Sequence, residues 1–361
     1  MTTQIILKAA FVPLLLSALV ITAFTGRDKD EAGVLGSGQQ PKALVDQQGI
    51  LKVVYGSEDN IYYLESTDQA QSFSKPALVA TLPGGLMLGM GRGPQIASSD
   101  HGTLIAAVDK AGEVYAWRRR PGSRQWEGPT RINDTGEVAK EGFVALARGK
   151  GKEFHAVWND LRSGNNQVYG TVSADGGNTW GKNKLIYSSP DTTICECCKT
   201  SLVYDNQDKV YVMWRNQIDG FRDMYLTSVT AGARQIAPAA KLGNGTWKLK
   251  GCPMDGGSLH SDGQGKVTTA WMRDGAVYLC EPGKEEVLIG KGRNPALTQN
   301  ARGTVVLWTL KDEVLALSPG SEKPVSVGKG RYPNVASGKD FTVAFWETAK
   351  KEVVAILLTV P

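Results

Sequence analysis

Seven times between residues 41 and 346 the chain repeats one unit: a Pro or small residue, a short apolar strand, a polar turn with Gly, then an alternating strand that closes on an aromatic or apolar residue. The instances run from Pro41 to Tyr55, Pro94 to Val108, Phe143 to Trp158, Thr200 to Trp214, Gly257 to Trp271, Pro295 to Trp308 and Pro333 to Trp346. A third strand follows each, as in Val277-Tyr-Leu-Cys280 or Val314-Leu-Ala-Leu317. A fourth often follows that, as in Val287-Leu-Ile289 or Val325-Ser-Val327. A unit of this size cannot bury its own apolar face, so neighbours must stack to make a core. Four antiparallel strands per unit, repeated radially, describe the blades of a β-propeller. The expected fold is all-β, with seven blades favoured and six as the alternative if one unit is an elaboration. The last unit stops one strand short, while Gly33-Val-Leu-Gly-Ser-Gly38 reads like the fourth strand of other units; compare Val287-Leu-Ile-Gly-Lys-Gly292 and Val327-Gly-Lys-Gly330. That N-terminal segment would close the ring and hide both open edges.

Composition agrees with many short strands and Gly-rich turns: 42 Gly and 9 Trp, without the Ala/Leu/Glu/Lys runs of a helical bundle. A net charge of +5 over 361 residues, with no basic block, argues against a nucleic-acid partner. At the N-terminus one Lys precedes an apolar stretch from Ala9 to Phe24, and polar sequence follows from Thr25. Residues 1–26 therefore read as a signal peptide, or as a short N-terminal anchor giving the only membrane contact, and residues 27–361 as one exported propeller domain, periplasmic or secreted.

Ser173-Ala-Asp175-Gly-Gly177-Asn-Thr179-Trp180 matches the pattern Ser-x-Asp-x-Gly-x-Thr-Trp at every fixed position. Ser66-Thr-Asp68-Gln-Ala-Gln-Ser72-Phe73 is a degraded copy, and both fall where the unit needs its turn between strands three and four. On these residues the chain resembles the Asp-box (BNR-repeat) sialidase superfamily of propellers. In that family the box is structural and lies on the face away from the active site, so it speaks for the fold and hardly for chemistry.

The opposite face gathers the loops joining strand four to the next strand one, together with the two-to-three loops, around the central channel, the usual ligand site of a propeller. These loops hold Arg92, Glu141, Cys195, Cys197, Cys198, Cys252, Met254, Arg293 and Arg331, with Asp109 and Arg215 from the two-to-three loops. Arg92, Arg293 and Arg331 recur at equivalent positions, each in Gly-Arg-x-Pro. A guanidinium can take a carboxylate bidentately. The resemblance implies that these three clamp a sugar carboxylate, that Asp109 serves as acid/base, and that Tyr332 or Tyr225 is the nucleophile, with Arg215 and Glu141 beside the ligand. The pattern departs from the family: no Phe/Tyr-Arg-Ile-Pro occurs, and no Glu is placed to activate a Tyr. The expected function is therefore binding of a glycan or other small anionic group at the central mouth, with exo-sialidase-type hydrolysis as a further step and a noncatalytic assembly or binding module, its arginines tied up between blades, as the alternative.

The cysteines suggest a second chemistry. Cys280 lies on an apolar strand and reads as a buried small hydrophobe. The other four occupy two successive four-to-one loops and should approach one another. An exported protein favours disulfides, for instance Cys252 with Cys195, Cys197 or Cys198, and no cofactor. The alternative is a copper or zinc site of Cys195, Cys197, Cys198, Cys252 and Met254. Cys-x-Cys-Cys followed by Gly-Cys-Pro also resembles a recurrent feature of bacterial sialidase-like proteins.

Overall fold

The computed structural model describes residues 32–230 and 235–358, together with Thr22–Ala23, which pairs with Ser72–Phe73. The expected leader, residues 1–26, otherwise lies outside the described residues. Seven four-stranded antiparallel sheets follow one another around a ring, which is the seven-bladed propeller expected from the repeat. No helix of the described residues is long and apolar enough to cross a membrane.

The first strands of blades 1 to 7 line the axis: Gln39–Val45, Gln95–Ser99, Val144–Arg148, Ser201–Tyr204, Gly257–Ser261, Arg293–Asn300 and Arg331–Ser337. Blade 7 is completed from the other end of the chain, in the order Gly33–Ser37, Glu352–Leu357, Thr342–Glu347, Arg331–Ser337. Val34 stands opposite Val354 and Ser37 opposite Glu352. No blade is therefore left with an open ladder between the first and last strands of the ring.

The aromatic at the end of strand two packs the seam between blades. Trp158, Trp214, Trp308 and Trp346 are fully buried. Trp308 Nε1 donates to Lys291 O at 2.8 Å and Trp346 Nε1 to Lys329 O at 2.9 Å, so these two indoles hydrogen-bond to the outer strand of the preceding blade. This explains the recurring Gly-x-Gly. A Cβ at Gly292 would lie 2.4 Å from the Trp308 ring, at Gly330 2.3 Å from Trp346, and at Gly38 2.4 Å from Tyr55. Only a residue without a side chain leaves room for the ring.

The full Ser-x-Asp turn sits between Gln167–Ser173 and Lys184–Tyr187. Ser173 Oγ accepts the Gly177 N–H at 2.8 Å, and Asp175 Oδ1 accepts the N–H groups of Asn178 and Thr179 at 3.0 and 2.9 Å. The Thr179 hydroxyl donates to Asp175 Oδ2 at 2.7 Å. Burial opposes ionisation of Asp175, but these donors outweigh it and hold the carboxyl at about 2. The degraded turn repeats the geometry, Ala70 taking the place of Gly177 at φ 67°.

Candidate functional site: the axial channel and the cysteine cluster

The first strands border the axis along their edges, so several of their consecutive residues reach it. One ring of seven is Lys42, Gln95, Val144, Ser201, Ser258, Ala296 and Asn334, and all seven line the channel. Two residues earlier along the strands, Gln40, Lys199, Gly256, Asn294 and Tyr332 line it as well. Gln40, Asn294 and Tyr332 hold φ of 55°, 54° and 51° at bulges where the pairing of strands one and two slips. The channel volume is about 100 Å³. Small-molecule pockets run to roughly 300–1,000 Å³, so this space admits waters or a carboxylate-sized group but not a sugar ring.

Its charged groups are Lys42, Lys199 and Asp255. Burial first, and then the positive charge of Lys199, lowers the Lys42 ammonium to about 7. Burial lowers Lys199 too, against the attraction of Asp255. Asp255 is fully buried; its Oδ2 accepts the Asn294 N–H at 2.7 Å, while its Oδ1 has no protein partner. Burial raises the Asp255 carboxyl, partly countered by the Asn294 bond, Arg215, Arg293 and Lys199. Gly256 makes room for the Lys199 stem: a Cβ there would lie 2.3 Å from Lys199 Cγ.

Of the residues singled out from sequence, Tyr332, Met254 and Cys197 line the channel. Burial and the neighbouring Glu347 carboxylate raise the Tyr332 phenol. Glu347 is itself committed, its Oε2 accepting Gln40 N and Nε2 at 2.9 and 3.0 Å and its Oε1 accepting Arg331 Nε at 3.2 Å. The three equivalent arginines do not form one clamp, because each finds acceptors in its own sector. Arg92 Nε donates to Glu141 O at 2.5 Å, with its guanidinium over Phe143. Arg293 Nη2 donates to Pro253 O at 2.8 Å, and Arg331 pairs with Glu347; both side chains remain about half exposed. Arg215 is fully buried and donates to the carbonyls of Asp255, Arg222 and Met272, so it braces blades 4 and 5 and does not line the channel. Glu141 faces Arg92. Asp109 caps its own turn by accepting the Glu113 N–H at 2.9 Å and is not among the channel-lining groups. Tyr225 lies on a third strand against Trp214 and Tyr187, a packing position.

The two Cys loops do meet, through a Cys197–Cys252 bridge. Cys195 and Cys198 are buried free thiols. Cys195 Sγ lies 3.3 Å from Cys198 Sγ and 3.9 Å from Cys197 Sγ, with Met254 packed against the group. The sulfurs of Cys195, Cys197 and Cys198 fall within 4.8 Å of one another, a spacing that could hold a metal ion. The bridge commits two of the four thiols, leaving Cys195, Cys198 and the Met254 thioether. The Cys198 contact, against the cost of burial and with help from Arg215 and Arg222, lowers Cys195 to about 7, while burial pushes Cys198 up. Cys280, buried on strand three of blade 5, stands apart.

Sequence reasoning missed Lys42, Lys199 and the role of Asp255. The signal was there in register: Lys42 occupies the same repeat position as Gln95 and Asn334, and Lys199 the same as Gln40 and Tyr332.

No protein-family model matches the chain, and no curated protein matches it in sequence. Among solved structures it is similar to an ulvan lyase of polysaccharide lyase family PL25, at 11% identity and TM-score 0.54 over 91% of this chain and 98% of that one. It is similar to a Hadza microbial sialidase at 11% identity and TM-score 0.51, over 91% of this chain and 68% of that one. The SapL1 lectin in complex with alpha methyl fucoside shares 10% identity and TM-score 0.50, over 91% and 95%. At such identities the likeness shows the fold, a β-propeller, and nothing narrower.

Proposed function

We propose that this propeller binds an anionic group, most simply the carboxylate of an acidic glycan, at the mouth of its axial channel. The observation that carries this is the pair of lysines, Lys42 and Lys199, sharing a channel of about 100 Å³ closely enough that one depresses the other. Two neighbouring cations in a confined space are relieved by an anion. The channel is too narrow for the ring of a sugar, so the ring stays on the rim, where the half-exposed Arg293 and Arg331 side chains stand. The glycan class draws support from the neighbours, whose names include a lyase, a sialidase and a fucoside-binding lectin.

The test is a calorimetric titration with glucuronate, N-acetylneuraminate and galactose at low salt. The acidic sugars bind and galactose does not. Because the charged form of Lys42 is the one that binds, affinity is flat below about pH 7 and falls above it by up to tenfold per pH unit. Lys199→Met lowers affinity at least tenfold. Equal binding of galactose and glucuronate, or no change with pH between 6 and 9, would sink the proposal.

A hydrolytic reading keeps one specific support, Tyr332 in the channel with Glu347 and Asp255 as its acidic neighbours. Asp255, whose carboxyl is held above its usual range, would then replace Asp109 as the proton donor. Release of 4-methylumbelliferone from its sialoside, abolished by Tyr332→Phe, would establish it; no release over the buffer rate removes it.

A further inference from the structure

We infer that Cys195 and Cys198 form a thiol–disulfide exchange pair with the Cys197–Cys252 bridge, so that the bridge is transferable and Cys252 is its outlet to solvent. The spacing Cys195-x-x-Cys198 is closed into one turn by a Cys198 N–H to Cys195 O hydrogen bond of 3.3 Å, and the Cys195 N–H is fixed to Arg215 O at 3.0 Å. The two sulfurs are thereby held 3.3 Å apart, with Cys195 Sγ 3.9 Å from the bridged Cys197 sulfur. The 3.3 Å contact falls within the roughly 3–3.5 Å of a near-attack geometry, and the 3.9 Å contact needs only a small approach to reach it. Two cationic side chains, Arg215 and Arg222, face Cys195. Arg215 is fully buried and donates to carbonyls; among the described residues no carboxylate lies within salt-bridge distance of it, although the Asp255 and Asp223 carboxyls also feel its charge. Cationic neighbours of this kind favour the thiolate over the thiol at Cys195. Burial grades from complete at Cys195 and Cys198 to exposed at Cys252.

The chemistry balances without any external oxidant. The Cys195 thiolate attacks Cys197 Sγ; the Cys195–Cys197 bond forms, the Cys197–Cys252 bond breaks, and Cys252 leaves as thiolate. The Cys198 thiolate then attacks Cys195 Sγ, forming Cys195–Cys198 and releasing Cys197. One disulfide and two thiols are present throughout, and the proton lost by Cys198 is taken up by the released pair. The outcome is a pair of isomers: one with the bridge between the two loops, the other with the bridge buried and the Cys252 thiol at the surface.

The experiment uses the full chain purified without reductant. It is incubated natively with N-ethylmaleimide, quenched in acid at intervals, digested and mapped without reduction. The expected result is modification of Cys252 that grows with time, in step with loss of the Cys197–Cys252 peptide and appearance of a Cys195–Cys198 bridge. Cys195→Ser slows modification of Cys252 at least tenfold. Cys198→Ser still releases Cys252 but stops at a Cys195–Cys197 bridge, a pattern that a static bridge cannot give and that decides the matter should Cys195→Ser fail to fold. Two results overturn the inference. One is a Cys197–Cys252 bridge constant over time with Cys252 unmodified. The other is copper or zinc retained in native mass spectrometry on four reduced cysteines, which would make the cluster a metal site.

Discussion

Two sectors of the ring are joined in opposite ways. From blade 5 through 6 and 7 to blade 1, a single glycine connects each outer strand to the next inner one: Gly292 between Lys291 and Arg293, Gly330 between Lys329 and Arg331, Gly38 between Ser37 and Gln39. In the other sector, residues 188–200 lead into blade 4 and residues 242–256 into blade 5. The short sector has no spare chain, so its arginines turn back on Glu347 and on the Pro253 carbonyl. The long sector has chain to fold inward, and it supplies Lys199, Asp255, Met254 and all four clustered cysteines. Regularity thus marks what closes the ring, and departure from it marks where chemistry can be placed.

Three substitutions would break or sharpen that contrast. Trp308→Ala, in the short sector, removes a fully buried ring and its bond to Lys291 O, and should cost about 3–5 kcal/mol in chemical denaturation. Cys252→Ser, in the long sector, frees a loop closed over a sequence separation of 55 and should cost ~2–4 kcal/mol, since it relaxes the unfolded chain and not the seams. If Cys252→Ser proved the more damaging of the two, the ring would owe its stability to its long connections and the contrast would fail. Smallest is Asp175→Asn, on the far face, at about 1 kcal/mol for exposed turn bonds. Its sign with pH is fixed. A carboxyl at about 2 in the folded chain contributes fully above the unfolded value near ~3.9, and the contribution is lost as pH falls through about 2, so wild type and variant should converge at acid pH.

The blades were legible because strand period and seam aromatics are local facts: Trp308 and Trp346 repeat with the glycines that make room for them. The N-terminal closure was legible from Gly33 to Gly38, whose likeness to other fourth strands met a last unit one strand short. Channel residues were harder. A lysine in a short strand reads as a solvated side chain, and nothing beside Lys42 in sequence announces Lys199 across the axis. The arginines misled for the converse reason. Their equivalence is visible along the chain, but the groups that occupy them, Glu141, Pro253 and Glu347, come from other loops and strands. The cysteines stood between these cases: their meeting followed from blade order, their pairing did not.

The join between Gly33–Ser37 and Glu352–Leu357 has a consequence for biogenesis. Six sheets can assemble as the chain emerges, whereas the seventh waits for Glu352–Leu357. Until then the first and last blades each present an unpaired flank, and the axis has no fixed bore. A ribosome that stalls short of Glu352, or a protease that removes the strand after it, would yield an open arc able to recruit a strand from another copy. The pairing of these two strands therefore ties closure of the bore to the presence of residues 352–357.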